Sequence, residues 1–124
     1  MVLVDSSVWI SYLKSGDAQL ALLLSTQRAV THEMVMGEVS MGSTEQRALA
    51  LQMLPLLPAL APASHDEVMH LVAQQKLYAR GIGYVNVHLL TAALLQSDTQ
   101  VWTRDKRLHA AAVQLGVAYG EQLH

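Results

Sequence analysis

Short apolar runs alternate with longer segments of helical periodicity, and this alternation limits the folds open to the chain. The pattern predicts short strands at residues 2–4, 28–32, 100–103 and 117–119. Strands that alternate with helices form a mainly parallel sheet covered by helices on both faces. The predicted fold class is therefore α/β.

The intervening helices are marked by apolar spacing and by residues typical of helix ends. Gly16 ends the first helix, which follows Asp5. Ser64 with Glu67 three residues later is a capping box, and it opens a long helix that is predicted to run to Gly81. Further helices are predicted around 20–24 and at 33–41, 44–54, 86–96 and 105–115. No repeat, low-complexity tract or linker interrupts the pattern, so we predict one domain over residues 1–124.

The apolar content of this small chain suggests a protein partner. Hydrophobic residues make up 52% of the 124 residues, somewhat above the usual share of about 45–50%. A small domain has much surface for its volume, so part of this surplus is predicted to remain exposed. Exposed apolar patches commonly mark partner surfaces.

Charge and cysteine content exclude several classes of protein. A net charge of −2 excludes the strongly basic field of bulk nucleic-acid binders, although a local basic patch stays open. The absence of cysteine excludes disulfides and thiolate metal sites, and is compatible with a reducing cytosol. Asp5 interrupts the opening apolar residues before a signal peptide develops, and the leucine-rich run 53–63 is short and rich in proline. We expect a cytoplasmic protein without membrane contact.

Asp5, Asn86 and Asp105 each lie at or beside a predicted helix start, where a side-chain oxygen often accepts an unpaired backbone N–H. For any one of them alone, capping is the favoured explanation. Asp5 and Asp105 also follow predicted strands, however, and ligands gather at the carboxyl ends of parallel strands. Capping does not require such a convergence.

Glu38 has a different pattern. It recurs at helical spacing with Met34 and Met41, which predicts a position on or at the edge of the buried stripe. A carboxylate there is usually paired or bound to a cation. No Lys or Arg lies within one helical turn, although a salt bridge to a distant residue stays open. Asn86 is also predicted to face inward, since Leu89 and Ala93 follow it on the same helical face.

Three cations surround Asp105 in the segment TRDKR. Lys106 and Arg107 fall in the first turn of the predicted helix, where the helix dipole disfavours positive charge, and Arg104 precedes them. A bound phosphate backbone would favour this arrangement, while a solvated charge cluster explains it equally well in isolation. Beside a carboxylate cluster, we predict a phosphate-binding patch.

Together these segments resemble the PIN-domain ribonucleases, specifically the VapC-type toxins of bacterial toxin–antitoxin pairs. Four segments carry the resemblance in order along essentially the whole chain: VDSSVWI, THEMVMGEV, GIGYVNVHLLTAALL and VWTRDKRL. Each is weak alone, but the four at this spacing are specific. The resemblance implies a three-layer α/β/α sandwich that hydrolyses RNA with Mg²⁺ or Mn²⁺, pairs with a VapB-type antitoxin and forms a homodimer.

By position, the resemblance implies that the catalytic and metal-binding groups are Asp5, Glu38, Asn86 and Asp105, supported by the hydroxyls of Ser6 and Thr103. Oxygen ligands suit hard cations, and Mg²⁺ keeps several waters that a substrate phosphate can replace.

Asn86 departs from this pattern, which has aspartate at its position. The amide keeps one carbonyl oxygen but lacks the negative charge and the second ligating oxygen. We therefore expect weakened metal binding and impaired cleavage. The alternative is a catalytically inactive PIN-like domain that acts only by binding an antitoxin or RNA.

Overall fold

A parallel sheet lies at the centre of the molecule, as the sequence predicted. In the computed structural model, which describes residues 1–120, strands β1 (Val2–Val4), β2 (Ala29–Val30) and β3 (Gln100–Trp102) pair in the order β2-β1-β3. Both pairings are parallel. Single parallel bridges, Thr31 to Ala59 and Val101 to Ala118, extend the two edges of this sheet.

Helices cover both faces of the sheet, which confirms the predicted α/β class and its three layers. The described residues form seven α-helices: α1 (Ser6–Ser15), α2 (Ala18–Ser25), α3 (Glu33–Ser40), α4 (Thr44–Met53), α5 (His65–Gln75), α6 (Tyr84–Leu95) and α7 (Lys106–Gln114). A single 3₁₀ turn, Leu54–Leu56, follows α4. Within this described part, no helix has the length and apolarity that a bilayer span requires.

The core is built on the central strand. Val2, Leu3 and Val4 are all fully buried, because a parallel strand between two helical layers has no solvent face. Trp9 and Trp102 are also buried. Residues at the carboxyl end of β1 are therefore held by a rigid support.

The strand order creates a crevice at that end of the sheet. After β1, the chain passes through α1 and α2 to β2 on one side, and it later returns to β3 on the other side. Such a reversal of strand order leaves a crevice outside the carboxyl ends of the strands. Asp5 directly follows β1 and Thr103 directly follows β3, so both lie at this crevice.

Two predicted helix boundaries were wrong. Helix α5 ends at Gln75 rather than at Gly81, because Lys76 adopts the left-handed conformation (φ 54°) and the chain turns to bury Leu77. Helix α6 begins at Tyr84 rather than at Asn86, with Gly83 in the N-cap position.

Two predicted strands are shorter than expected. The predicted strand 28–32 pairs regularly only over Ala29–Val30. The predicted strand 117–119 is reduced to one bridge at Ala118, held by two backbone hydrogen bonds to Val101. Both lie toward the edges of the sheet, where pairing to a single neighbour supports less regular structure.

Candidate active site at the carboxyl edge of the sheet

Asp5 is a buried carboxylate surrounded by hydroxyl groups. It holds the N-cap position of α1, but its side chain makes no capping hydrogen bond. Its Oδ2 accepts hydrogen bonds from Ser7 Oγ at 2.8 Å and Thr103 Oγ1 at 2.7 Å. Its Oδ1 accepts a longer one from Ser6 Oγ at 3.4 Å. The capping explanation therefore does not account for the Asp5 side chain.

Glu38 reaches the same point from a different helix. Helix α3 packs against α1, and Ser6 Oγ lies 3.2 Å from Glu38 Oε1 as well as 3.4 Å from Asp5 Oδ1. A serine hydroxyl has a single proton, so it can donate to only one of the two carboxylates at a time. Two acidic groups thus share one weak donor.

The exposure of Glu38 excludes a place within the buried stripe and leaves the edge of the stripe, the other position that the sequence predicted. The buried residues of α3 are Val35 and Val39, whereas Glu38 is exposed. A residue one position before Val39 lies about 100° around the helix, and this places Glu38 on the rim of the crevice. This edge position brings Glu38 to Ser6 and Asp5, whereas a fully buried position would not.

The surroundings of Glu38 disfavour its charged form. Partial loss of hydration raises the pKa of Glu38, the hydrogen bond from Ser6 lowers it, and the negative charge of Asp5 raises it again, so that the net pKa is raised. The repulsion between Asp5 and Glu38 would be relieved by a cation placed between them.

Within residues 1–120, neither Asp5 nor Glu38 forms an ion pair with a protein cation. This excludes, for the same residues, the salt bridge that was the structural alternative for Glu38. A buried carboxylate beside a second carboxylate, with no protein cation to neutralise them, has oxygen ligands of the kind that hard divalent cations bind. The donor set therefore fits a magnesium or manganese ion.

Asp105 acts as a helix cap and joins the site indirectly. Its Oδ1 accepts hydrogen bonds from the backbone N–H groups of Arg107 at 2.9 Å and Leu108 at 3.0 Å. Its own N–H donates to Thr103 Oγ1 at 3.0 Å, and Thr103 in turn donates to Asp5. Across the described residues, no group of three or more His, Cys, Asp or Glu side chains is arranged to hold a metal ion. The direct acidic pair is Asp5 and Glu38.

Asn86 does not cap its helix. It is the third residue of α6, and its half-buried side chain shares a helical face with the buried Leu89 and Ala93. A short connection reverses the chain between α6 and β3, so the first turn of α6 lies toward the carboxyl edge of the sheet. Arg107 Nη1 donates to the Gly81 carbonyl at 3.4 Å, which joins the segment before α6 to the first turn of α7.

The three cations near Asp105 differ in their surroundings. Arg104 forms an ion pair with Asp17 at 2.6 Å, and its guanidinium lies 5.8 Å from the centre of the Trp102 ring. It thereby ties the start of α2 to the segment after β3. Lys106 and Arg107 are exposed at the start of α7, where they can reach a bound polyanion.

From the sequence, Ser7 was interpreted as a helix cap or a supporting hydrogen-bond donor beside Asp5, and it was not selected as a site residue. Its hydroxyl donates to Asp5, accepts the backbone N–H of Arg104 at 3.0 Å and lies 3.4 Å from Thr103 Oγ1. Its place two residues after Asp5 was the only sequence signal, and that spacing fits a helix cap equally well.

Comparison with known proteins extends these observations. The chain matches no model of a known protein family. It is 42% identical over 123 residues to Ribonuclease VapC32 of two Mycobacterium tuberculosis strains, and the match covers 99% of this chain and 99% of each relative.

A solved structure shares the fold at low sequence identity. The crystal structure of PAE2754 from Pyrobaculum aerophilum superposes with a TM-score of 0.63, covering 93% of this chain and 94% of that one. The two sequences are 17% identical, so this similarity concerns the fold alone.

Proposed function

The chain belongs to the VapC family of PIN-domain ribonucleases, and we propose that it is a toxin endoribonuclease that hydrolyses RNA phosphodiester bonds. The observation that carries the site is the pair formed by Asp5 and Glu38, which share the Ser6 hydroxyl and have no protein cation beside them within residues 1–120. Such a pair can bind a divalent cation, and the bound cation can in turn bind a phosphate of the RNA.

Asp5 and Glu38 are proposed as the direct ligands of one Mg²⁺ or Mn²⁺ ion. Mg²⁺ usually keeps several waters and uses only one or two carboxylates, so two protein ligands are sufficient. Asp105 and Asn86 would support this pair from the starts of α7 and α6, and Asp105 uses its Oδ1 to cap α7. When bound, the cation neutralises charge on the phosphate oxygens and lowers the pKa of the attacking water.

The protein's own groups position the RNA around this pair. Lys106 and Arg107 are proposed to hold the phosphate backbone, because they are exposed at the start of α7, two residues or fewer from Asp105. Arg104 was included in the predicted patch, but its contact with RNA would compete with its ion pair to Asp17. Lys106 and Arg107 therefore carry most of this proposal.

Asn86 is proposed to weaken the site without removing it. An amide supplies one neutral oxygen where the family pattern has an anionic carboxylate, so less charge attracts the metal ion. The alternative function is a catalytically inactive domain that binds an antitoxin or RNA. It is favoured by one observation, that the direct acidic set within residues 1–120 contains no third member.

RNA cleavage measured at high protein concentration tests the proposed function. Purified protein is incubated with a single-stranded RNA mixture and 5′-labelled fragments are followed with Mg²⁺, with Mn²⁺ and after chelation by EDTA. We expect cleavage that requires the metal ion and that is lost in Asp5→Asn. Cleavage that persists equally in EDTA or in Asp5→Asn would come from a contaminating nuclease and would favour the binding function.

A VapB-type antitoxin and a second copy of this chain are the proposed protein partners, in a cytoplasmic setting. Large apolar side chains are exposed on several helices, including Leu22, Leu51, Met69 and Leu95, and these support protein contacts. The two unneutralised carboxylates also suit a guanidinium from an antitoxin segment lying over the crevice. Light scattering at tens of micromolar, with and without the antitoxin, tests both partners, and a strict monomer that binds no antitoxin would contradict them.

A further inference from the structure

The hydrogen positions around Asp5 Oδ2 follow from counting donors and acceptors. Ser7 Oγ accepts the Arg104 N–H at 3.0 Å, and Thr103 Oγ1 accepts the Asp105 N–H at 3.0 Å. Each hydroxyl retains one proton to donate. The nearest acceptor for both protons is Asp5 Oδ2, at 2.8 Å from Ser7 and 2.7 Å from Thr103. Two consecutive backbone amides thus direct two hydroxyl protons onto one carboxylate oxygen.

The two oxygens of Asp5 are consequently unequal. Oδ2 receives two short hydrogen bonds from buried or half-buried hydroxyls, and these groups occupy its lone-pair directions. From residues 1–120, Oδ1 receives only the 3.4 Å contact from Ser6, on the side that leads to Glu38. Asp5 can therefore bind a cation through Oδ1 and keep both hydrogen bonds to Oδ2. Binding through both oxygens would require Oδ2 to give up at least one of these hydrogen bonds.

We propose that Ser7 and Thr103 are metal-selectivity residues that restrict Asp5 to single-oxygen ligation and thereby favour Mg²⁺ and Mn²⁺ over Ca²⁺. This inference rests on the metal site of the proposed function. Ca²⁺ accommodates six to eight oxygens and often takes both oxygens of a carboxylate, whereas Mg²⁺ requires a compact octahedron of about six single oxygens. Because Asp5 Oδ2 accepts hydrogen bonds from two hydroxyls, it is not available as a second ligand oxygen. Ca²⁺ would use this second oxygen, whereas Mg²⁺ would not.

Calorimetric titration of the metal-free protein with MgCl₂, MnCl₂ and CaCl₂ tests the proposal without an activity assay. The variants Ser7→Ala and Thr103→Val each remove one hydroxyl that donates a hydrogen bond to Asp5 Oδ2. Loss of a group that orients a metal ligand typically lowers metal affinity by roughly 10- to 100-fold. We expect Mg²⁺ affinity to fall in this range and Ca²⁺ affinity to fall less or to rise, so that the Ca²⁺-to-Mg²⁺ affinity ratio increases by about tenfold.

Two matched controls separate this effect from a general loss of structure. Thr103→Ser keeps the hydroxyl, so its Ca²⁺-to-Mg²⁺ affinity ratio should equal that of the parent chain. Ser6→Ala removes a neighbouring serine whose hydroxyl contacts Oδ1 and Glu38 but not Oδ2, so it should change both affinities and leave their ratio unchanged. Thermal unfolding followed by circular dichroism confirms that each variant is folded before titration.

The outcomes distinguish this inference from the function on which it rests. An unchanged affinity ratio in folded Ser7→Ala and Thr103→Val, with Mg²⁺ still bound by the parent chain, overturns the selectivity role and leaves the metal site standing. Absence of Mg²⁺ and Mn²⁺ binding by the parent chain, or binding that Glu38→Gln does not weaken, overturns the metal site itself and the selectivity role with it.

Discussion

At the scale of single residues, the site depends on what neutralises two neighbouring carboxylates. Asp5 is stabilised by hydroxyl donors and Glu38 by one shared serine, and within residues 1–120 no Lys or Arg pairs with either. Hydrogen bonds from neutral hydroxyls satisfy a carboxylate without cancelling its charge. The local negative potential therefore remains available to attract a cation. It should lower the stability of the metal-free protein and allow a bound metal ion to stabilise the fold.

Glu38→Gln is expected to stabilise the metal-free protein slightly and to abolish its stabilisation by metal. The pKa of Glu38 is raised by partial burial and by the charge of Asp5, so a neutral side chain of the same shape removes an unfavourable charge. The gain should be less than about 1 kcal/mol, because Glu38 is exposed and its charge is screened by solvent.

Thermal unfolding with EDTA and with Mg²⁺ measures both effects of this variant. A ligand that binds only the folded state raises the unfolding temperature, so the parent chain should gain stability on addition of Mg²⁺ while Glu38→Gln gains little. An equal gain in both proteins would show that Glu38 does not contact the metal ion.

The basic residues are expected to separate into two groups. Lys106→Gln and Arg107→Gln should weaken RNA binding and reduce the salt dependence of the binding constant by about one phosphate contact each. Arg104→Gln should instead lower thermal stability, because it breaks the ion pair with Asp17. Filter binding of RNA at several salt concentrations measures the first effect. A larger loss of RNA binding in Arg104→Gln than in Arg107→Gln would contradict this assignment.

At the scale of secondary-structure elements, helix starts bring the site together. Helix α1 begins directly after Asp5, Asp105 caps α7, and the first turn of α6 contains Asn86. Helix α3, which carries Glu38, has His32 as its N-cap, and the Nδ1 atom of His32 accepts the Met34 N–H at 3.0 Å. His32 is fully buried, so the entry to α3 is sensitive to protonation.

Acid destabilisation should depend in part on His32. Burial lowers the pKa of His32 from its ordinary value of 6.5, Glu33 opposes this effect and His88 adds to it. The unfolded chain therefore binds a proton near pH 6.5 that the native chain does not bind, so the free energy of unfolding decreases as the pH falls below 6.5.

His32→Asn separates protonation from capping. Asparagine is also a good N-cap residue, so the variant should keep the start of α3 while losing the titrating group. Urea unfolding between about pH 7.5 and 5 should show a smaller loss of stability in the variant than in the parent chain. The same pH dependence in both proteins would place the acid sensitivity elsewhere.

At the scale of the whole molecule, the parallel pairing of the sheet was predictable because it rests on the alternation of strands with helices, whereas the strand order was not predicted. Parallel pairing brings strand ends to one edge, and this is why Asp5 and Asp105 could be expected at the same edge of the sheet. Boundaries set by tertiary contacts were not predictable in the same way. Helix α5 ends early because burying Leu77 requires a left-handed turn at Lys76, and no residue type marks that turn.

The details of the site were partly beyond sequence reasoning for a similar reason. Glu38 was predicted on or at the edge of the buried stripe, and only the structure shows that it is exposed at the crevice, where the packing of α3 on α1 holds it. Ser7 was not selected, since its role depends on the backbone amide of Arg104, which comes close to it only in the folded chain.

The central claim is that a metal-dependent nuclease site built on Asp5 and Glu38 is weakened by the asparagine at position 86. The most direct measurement compares the parent chain with Asn86→Asp in RNA cleavage at saturating Mg²⁺, together with Mg²⁺ affinity by calorimetry. We expect tighter metal binding and faster cleavage in Asn86→Asp, by as much as roughly 10²–10³-fold, the usual effect of one charge-stabilising group. Glu38→Gln in that background should abolish cleavage while the fold is retained. Equal cleavage rates and equal Mg²⁺ affinities in the parent chain and Asn86→Asp would contradict the claim.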